Sequence, residues 1–150
     1  MMVVLLRRLR AHPDGRPAEA VLGSCDAAAL DEARIVVTAG AGAGAYFPLV
    51  EELAQVLGGE VGVTRAAAQL GLGHPEREVG ASGRRVAPRL YVACGASGSS
   101  EHLAGISADS RIIAINRDVR APICQVASYA LIGELGELLP QLLSALRSAP

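Results

Sequence analysis

The chain of 150 residues is 51% hydrophobic and 19% charged, which suits one domain around one core and excludes a largely disordered polymer. Its 14 basic residues, all arginine, stand against 15 acidic ones for a formal net charge of −1, so there is no electrostatic case for nucleic acid or acidic membranes as partners. Aromatic residues make up only 3%, too few for a base-stacking platform; Cys25, Cys94 and Cys124 form no CxxC pair, which argues against a zinc ribbon or disulfide framework and for a reducing interior.

The apolar run Met1 to Leu6 precedes Arg7, Arg8 and Arg10. That order is the reverse of a secretory signal and the run is too short to cross a bilayer, so no membrane insertion and a cytoplasmic address are expected. Residues 3–10 read as a strand or extended arm, and His12 to Pro17 as a turn cluster. Residues 18–33 read as an Ala-rich linker with a brief strand around Ala20–Leu22. The expected organisation is therefore an amino-terminal arm and linker over 1–33 and a folded domain over 34–150.

Alternation begins at Arg34. Ile35-Val36-Val37-Thr38 is a β-branched run of the kind buried on both faces of a parallel sheet. A glycine loop, Ala39 to Gly44, leads to a helix around Phe47–Leu57. The phrase then repeats: strand Val61–Val63 and helix Arg65–Leu70; strand Arg89–Cys94, loop Gly95–Gly98 and helix Ser99–Ala104; strand Arg111–Ile115, ending at Asn116; strand Tyr129–Leu131. Leu135, Leu138, Leu139, Leu142, Leu143 and Leu146 form a helical stripe suited to the core. Pro140 suits a first helical turn, so two abutting helices are expected there. This alternation predicts an α/β fold, a three-layer, doubly wound parallel sheet of Rossmann-like type. Ligands in such sheets lie beyond the carboxyl ends of the strands.

Two glycine loops leave such ends. Gly40-Ala41-Gly42-Ala43-Gly44-Ala45 fits a dinucleotide pattern with alanine last, and Glu60 lies at the distance of a ribose-binding acid, but before its strand when it should follow it. A tight turn with close helix–sheet packing explains the loop equally well. Gly95-Ala96-Ser97-Gly98-Ser99-Ser100-Glu101-His102 is more informative. Small residues there let amides and hydroxyls face an anion such as pyrophosphate, although Ser97 or Ser99 also suits a helix N-cap. The spacing is not that of a hydrolase elbow, so nucleophilic catalysis is disfavoured and no catalytic residue is assigned. His12, His74 and His102 are too scattered for a metal site. With Arg65 and Asn116 at other strand ends of the same edge, the mixture of guanidinium, imidazole, amide and hydroxyl groups suits a flavin dinucleotide.

From Arg34 to about Leu146 the chain resembles the carboxyl-terminal, FAD-binding domain of the electron transfer flavoprotein alpha subunit. The resemblance is carried by Val63-Thr64-Arg65-Ala66-Ala67, Val79-Gly80-Ala81-Ser82-Gly83 and Val86 through Gly98. It continues in Glu101-His102-Leu103-Ala104-Gly105, Ile113 through Asp118, and Ala121 through Ala127. It implies FAD as cofactor, with Thr64 and Arg65 at the ring, Arg65 over the isoalloxazine, and His102 near the pyrimidine carbonyl edge. Gly80 and Ser82 would lie beside the ring, Ser82 standing where the family has threonine. Ser97, Gly98, Ser99, Ser100 and Glu101 would line the cofactor loop. Asn116 would hold the adenosine side, with Glu134 and Leu135 at the family's Asp-Leu pair.

The resemblance also implies an electron carrier, not a catalyst of substrate conversion, moving electrons between a flavin dehydrogenase donor and an acceptor with a beta-type subunit as partner. A cation near the flavin favours its reduced, anionic states. The chain departs from the family at Ala41 (for arginine), Ala81 and Glu101 (both for glutamine), Ser128 (for aspartate) and Glu134 (for aspartate). Glu101, if turned inward, is expected to oppose Arg65 and to raise the pKa of His102. The family's large amino-terminal domain is expected to be missing, residues 1–33 supplying only its last strands and linker. Two further readings stay open: a degenerate domain that has lost FAD and serves assembly or regulation, and an NAD-type enzyme using the first glycine loop.

Overall fold

The computed structural model describes residues 26–149; the arm, the turn cluster and the brief strand expected within residues 1–25 lie outside the described residues. Five strands, β1 (Ile35–Ala39), β2 (Glu60–Val63), β3 (Leu90–Cys94), β4 (Arg111–Asn116) and β5 (Tyr129–Ile132), form one sheet in the order β2-β1-β3-β4-β5. Every neighbouring pair is parallel. Helix α1 (Ala28–Glu32) precedes β1; parallel neighbours need crossovers, and these carry α2 (Phe47–Leu57), α3 (Arg65–Gln69), α4 (Ser100–Leu103) and α5 (Pro122–Val126), with α6 (Leu135–Ser148) following β5. The direction of winding reverses between β1 and β3, the place where such sheets open a crevice at their carboxyl edge.

The period of two along each strand divides the core into two layers. Ile35, Val37, Leu90, Val92, Ile113 and Ile115 face one side and pack against Leu53 and Leu57 of α2 and Leu139, Leu142 and Leu146 of α6. Val36, Tyr91, Ala93 and Ala114 face the other side, with Leu30 of α1 and Ile123 of α5. All five residues of β1 and all five of β3 are buried, which is why these strands read as unbroken apolar runs. The expected three-layer, doubly wound α/β architecture is the one observed.

Three local expectations are corrected. Leu135–Ser148 is one helix with Pro140 inside it, not two abutting helices. Leu135, Leu139, Leu142, Leu143 and Leu146 are all buried, so packing on both sides of the proline holds one axis. Pro140 itself is exposed, which puts the hydrogen bond it cannot donate on the outer face. Within the supposed linker, Ala28–Glu32 is helical because Leu30, fully buried, plugs the second core layer. The segment Pro122–Val126, read as no element, forms α5, with Pro122 in its first turn and Ile123 buried; five residues are too few to show a helical period.

Candidate functional site

The loops that leave β1 and β3 close on one another. The amides of Gly40 and Gly42 donate to the carbonyls of Cys94 (2.9 Å) and Gly95 (3.0 Å), and the Ala43 amide donates to Gly40 (3.0 Å). A Cβ on Gly40 would stand 2.3 Å from the Gly95 carbonyl oxygen. These glycines serve the close approach of two backbones, and their amides are turned away from any phosphate. Glu60 opens β2 at the opposite edge of the sheet and pairs with Arg77 at 2.9 Å. The first glycine loop thus has the packing role, and the NAD-type reading loses both its loop and its acid.

Beyond β2, Thr64 is buried and caps α3, its hydroxyl accepting from the Ala67 amide at 3.2 Å. The cap fixes the direction in which the next residue, exposed Arg65, leaves the sheet. Replacing Thr64 by valine keeps the shape and removes the acceptor. The expected cost is about 1 kcal/mol, measurable as a lower urea midpoint with an unchanged m-value.

The loop after β3 turns at Gly98, whose φ of +82° favours glycine. Ser97 and Ser100 are exposed, and Ser99 caps α4 by accepting from the His102 amide at 3.3 Å. Of the two serines offered as caps, Ser99 is the one used. Ser97 holds α5 through its carbonyl, which accepts from the Ile123 amide at 3.0 Å.

Glu101 turns toward the 80–83 turn. Its carboxylate accepts from the Ser82 amide (2.7 Å) and from the Ser82 hydroxyl, while its own carbonyl accepts from the Ala81 amide at 2.9 Å. Gly80 leaves room for it, since a Cβ there would meet the carboxylate at 2.3 Å. The Ser82 bonds, and secondarily the charges of Arg65 and His102, hold the Glu101 carboxyl below the usual carboxylate range. Arg65 therefore acts on the same corner as Ser82, Glu101 and His102.

His102 is 3% exposed. Its Nε2 lies 2.6 Å from the hydroxyl of Tyr91, a fully buried residue of β3. Its Nδ1 is buried and has no hydrogen-bond partner among the described residues. Burial pulls its pKa down from 6.5 to about 4, against a smaller upward effect of Glu101. The expected rise is corrected here: Glu101 acts in the anticipated direction, but loss of hydration outweighs it, and the ring is neutral at pH 7.

Asn116 ends β4, buried. Its side-chain amide donates to the Ala96 carbonyl at 2.8 Å and accepts from the Asp118 amide at 2.9 Å, while its backbone carbonyl accepts from the Gly133 amide at 3.0 Å. It ties the β3, β4 and β5 loops into one rim. Glu134 is the exposed N-cap residue of α6, and Leu135 is buried in the first core layer. Leu135 can therefore offer a ligand only its backbone.

The structure thus gathers Thr64, Arg65, Gly80, Ser82, Ser97 to His102, Asn116, Glu134 and Leu135 along the carboxyl rim. Sequence reasoning missed Tyr91. Its signal was a lone aromatic residue inside an otherwise aliphatic strand, because a buried phenol needs a hydrogen-bond partner. Among the described residues no group of three His, Cys, Asp or Glu could hold a metal ion, and no helix is long and apolar enough to cross a membrane.

Sheet order, the reversal of winding and a polar rim of loops define a Rossmann-like α/β domain, a class whose ligands lie at this edge of the sheet. Residues 29–107 match the family model described as the electron transfer flavoprotein FAD-binding domain. The mitochondrial electron transfer flavoprotein subunit alpha of Arabidopsis thaliana is 47% identical over 119 residues, covering 78% of this chain and 33% of that protein. Electron transfer flavoprotein subunit alpha of Clostridium acetobutylicum is 41% identical over 126 residues, covering 83% and 38%. That of Paracoccus denitrificans is 47% identical over 115 residues, covering 75% and 37%. The chain belongs to the electron transfer flavoprotein alpha family, and it spans somewhat over a third of the length of these relatives, or less.

Proposed function

We propose that this domain binds FAD at the rim described above and, with a beta-type subunit in the cytoplasm, carries electrons between a flavin dehydrogenase and an acceptor. The observation that carries the reading is the imidazole of His102, buried with one nitrogen lacking a partner among the described residues. A buried polar atom without a partner signals a missing one, and a carbonyl on a bound ring supplies it. The exposed hydroxyls of Ser97 and Ser100 and the backbone at Glu134 and Leu135 suit the phosphates and the adenosine side. These residues fit the cofactor.

When bound, FAD would supply the reversible uptake and release of electrons. The protein's part is to hold the ring and set its electron affinity. Arg65 favours negative charge on the ring, and the carboxylate of Glu101 works against it at the same corner. Titration of the purified protein with FAD, followed by flavin fluorescence and by absorbance, tests the reading, with saturable binding near one per chain expected. Arg65→Ala is expected to weaken binding about five- to tenfold and to make the flavin potential more negative. Unchanged affinity and potential would remove Arg65 from this role.

A second reading, a degenerate domain without FAD that serves assembly or regulation, is favoured by one observation. Both donors of Ser82, amide and hydroxyl, are already held by Glu101. A protein that ignores added FAD, while Glu101→Gln restores binding, would establish it.

A further inference from the structure

We propose that Tyr46 is a specificity-determining residue of the rim, an aromatic face on which the purine of a dinucleotide stacks, so that the site selects FAD over flavins that lack adenine. The inference rests on the FAD reading and adds to it a contact for the end of the cofactor remote from the isoalloxazine. Tyr46 closes the 3-10 turn Ala41–Tyr46 that leaves the carboxyl end of β1, directly before α2. Its side chain gives α2 no cap hydrogen bond, so capping does not account for the residue. It is 43% exposed, which leaves the ring open to a ligand.

The place where the ring lies carries the argument. Its phenol end rests on Gly136 in the first turn of α6, since a Cβ there would stand 2.7 Å from Cζ and 2.8 Å from the hydroxyl oxygen of Tyr46. Glycine weakens a helix relative to alanine, and here its lack of a side chain is what lets the ring reach the backbone of α6. Gly136 directly follows Glu134 and Leu135, whose backbone suits the adenosine side. The Gly133 amide, just before them, donates to the Asn116 carbonyl at 3.0 Å, and the Asn116 side chain donates to the Ala96 carbonyl at 2.8 Å. The ring therefore stands beside the adenosine end of the rim, where α2 and α6 both begin.

The chemistry follows from the residue type. A phenol ring is flat and apolar over its faces, and it stacks on a base without reading its edges, because every base offers a π-face. Contact with Gly136 holds one end of the ring, so little side-chain freedom is lost when a ligand covers it. One ring serves one base, and the scarcity of aromatic residues that excludes a nucleic-acid platform is no obstacle here. Neither of the other tyrosines can take this place. Tyr91 is fully buried, and Tyr129 opens β5 at the end of that strand opposite the rim.

Titrations of the purified protein with FAD, FMN and ADP test the assignment, since FMN keeps the isoalloxazine without the purine and ADP keeps the purine without the isoalloxazine. Tyr46→Ala is expected to bind FAD and ADP about tenfold more weakly and FMN as before. Tyr46→Phe, which keeps the aromatic face, is expected to bind all three as the unmodified protein does. The chain has three tyrosines and no tryptophan, so ADP is expected to quench tyrosine fluorescence in the unmodified protein and not in Tyr46→Ala, a signature that a purely structural ring would not give. Should Tyr46→Ala fail to fold, Tyr46→Leu keeps an apolar side chain over Gly136, removes the flat face, and is expected to show the same selective loss. FAD binding left intact in the folded variant, or an equal loss of FAD and FMN, would overturn the proposal and leave the proposed function standing. An unmodified protein that binds neither FAD nor FMN would sink the proposed function and this assignment with it.

Discussion

Gly98→Ala is expected to destabilise the domain by about 3 kcal/mol or more, lowering the melting temperature by about 10 °C. Two independent costs combine. An alanine at φ +82° loses about 1–2 kcal/mol to contact between its Cβ and the backbone. That Cβ would also stand 2.5 Å from the Ile123 nitrogen and 2.7 Å from its Cα. These are backbone atoms and cannot rotate aside, so α5 must move. Movement strains the bond from the Ile123 amide to Ser97 and withdraws a fully buried isoleucine from the second core layer. Gly71→Ala is the matched control, since φ is +80° there but nothing among the described residues lies within 4 Å of the added carbon. It is expected to cost only the backbone part. Urea unfolding of both variants decides the matter: equal losses would show that the approach of α5 to the rim loop carries no energy.

The same contact explains what the sequence could and could not show. Runs such as Ile35–Thr38 and Leu90–Cys94 are local signals, because burial on both faces demands apolar residues whatever lies nearby. The sheet, its parallel sense and the edge that carries the polar loops follow from such runs and their spacing. The leucine stripe of α6 was equally legible, but its continuity through Pro140 was not. A proline's effect depends on whether it faces solvent or core, and packing decides that. Helices α1 and α5 are five residues each, and buried Leu30 and Ile123 define them more than any period does.

At the site, residue types were legible and partners were not. His102, Glu101 and Ser82 stood out in the sequence, yet nothing local says that Glu101 turns to Ser82, 19 positions away. Nor does it say that His102 turns inward to Tyr91, 11 positions away. The expected rise in the His102 pKa considered the adjacent charge and omitted burial. The first glycine loop misled for a related reason. Its spacing fits a phosphate loop, whereas the direction of its amides is set by Cys94 and Gly95 on another strand.

Burial of His102 also has a consequence for stability between pH 6.5 and about 4. Above pH 6.5 the ring is neutral in the folded and unfolded chain alike, so it adds no dependence on pH. Below 6.5 the unfolded chain takes up a proton that the folded chain refuses until about pH 4. The unfolded state then binds more protons, and stability falls as pH falls. The drop across this window is about 3 kcal/mol. Glu101, also held below its ordinary range, loses its contribution in the same direction but at lower pH, where carboxylates titrate. Replacing His102 by glutamine removes a group that titrates in the upper window and keeps a polar side chain beside Tyr91. Urea unfolding at half-unit steps from pH 7.5 to 4 is expected to give a steep decline below 6.5 in the unmodified protein and a much flatter one in His102→Gln. Parallel curves would mean that the imidazole is hydrated in solution and takes up its proton in the folded state near its ordinary pKa.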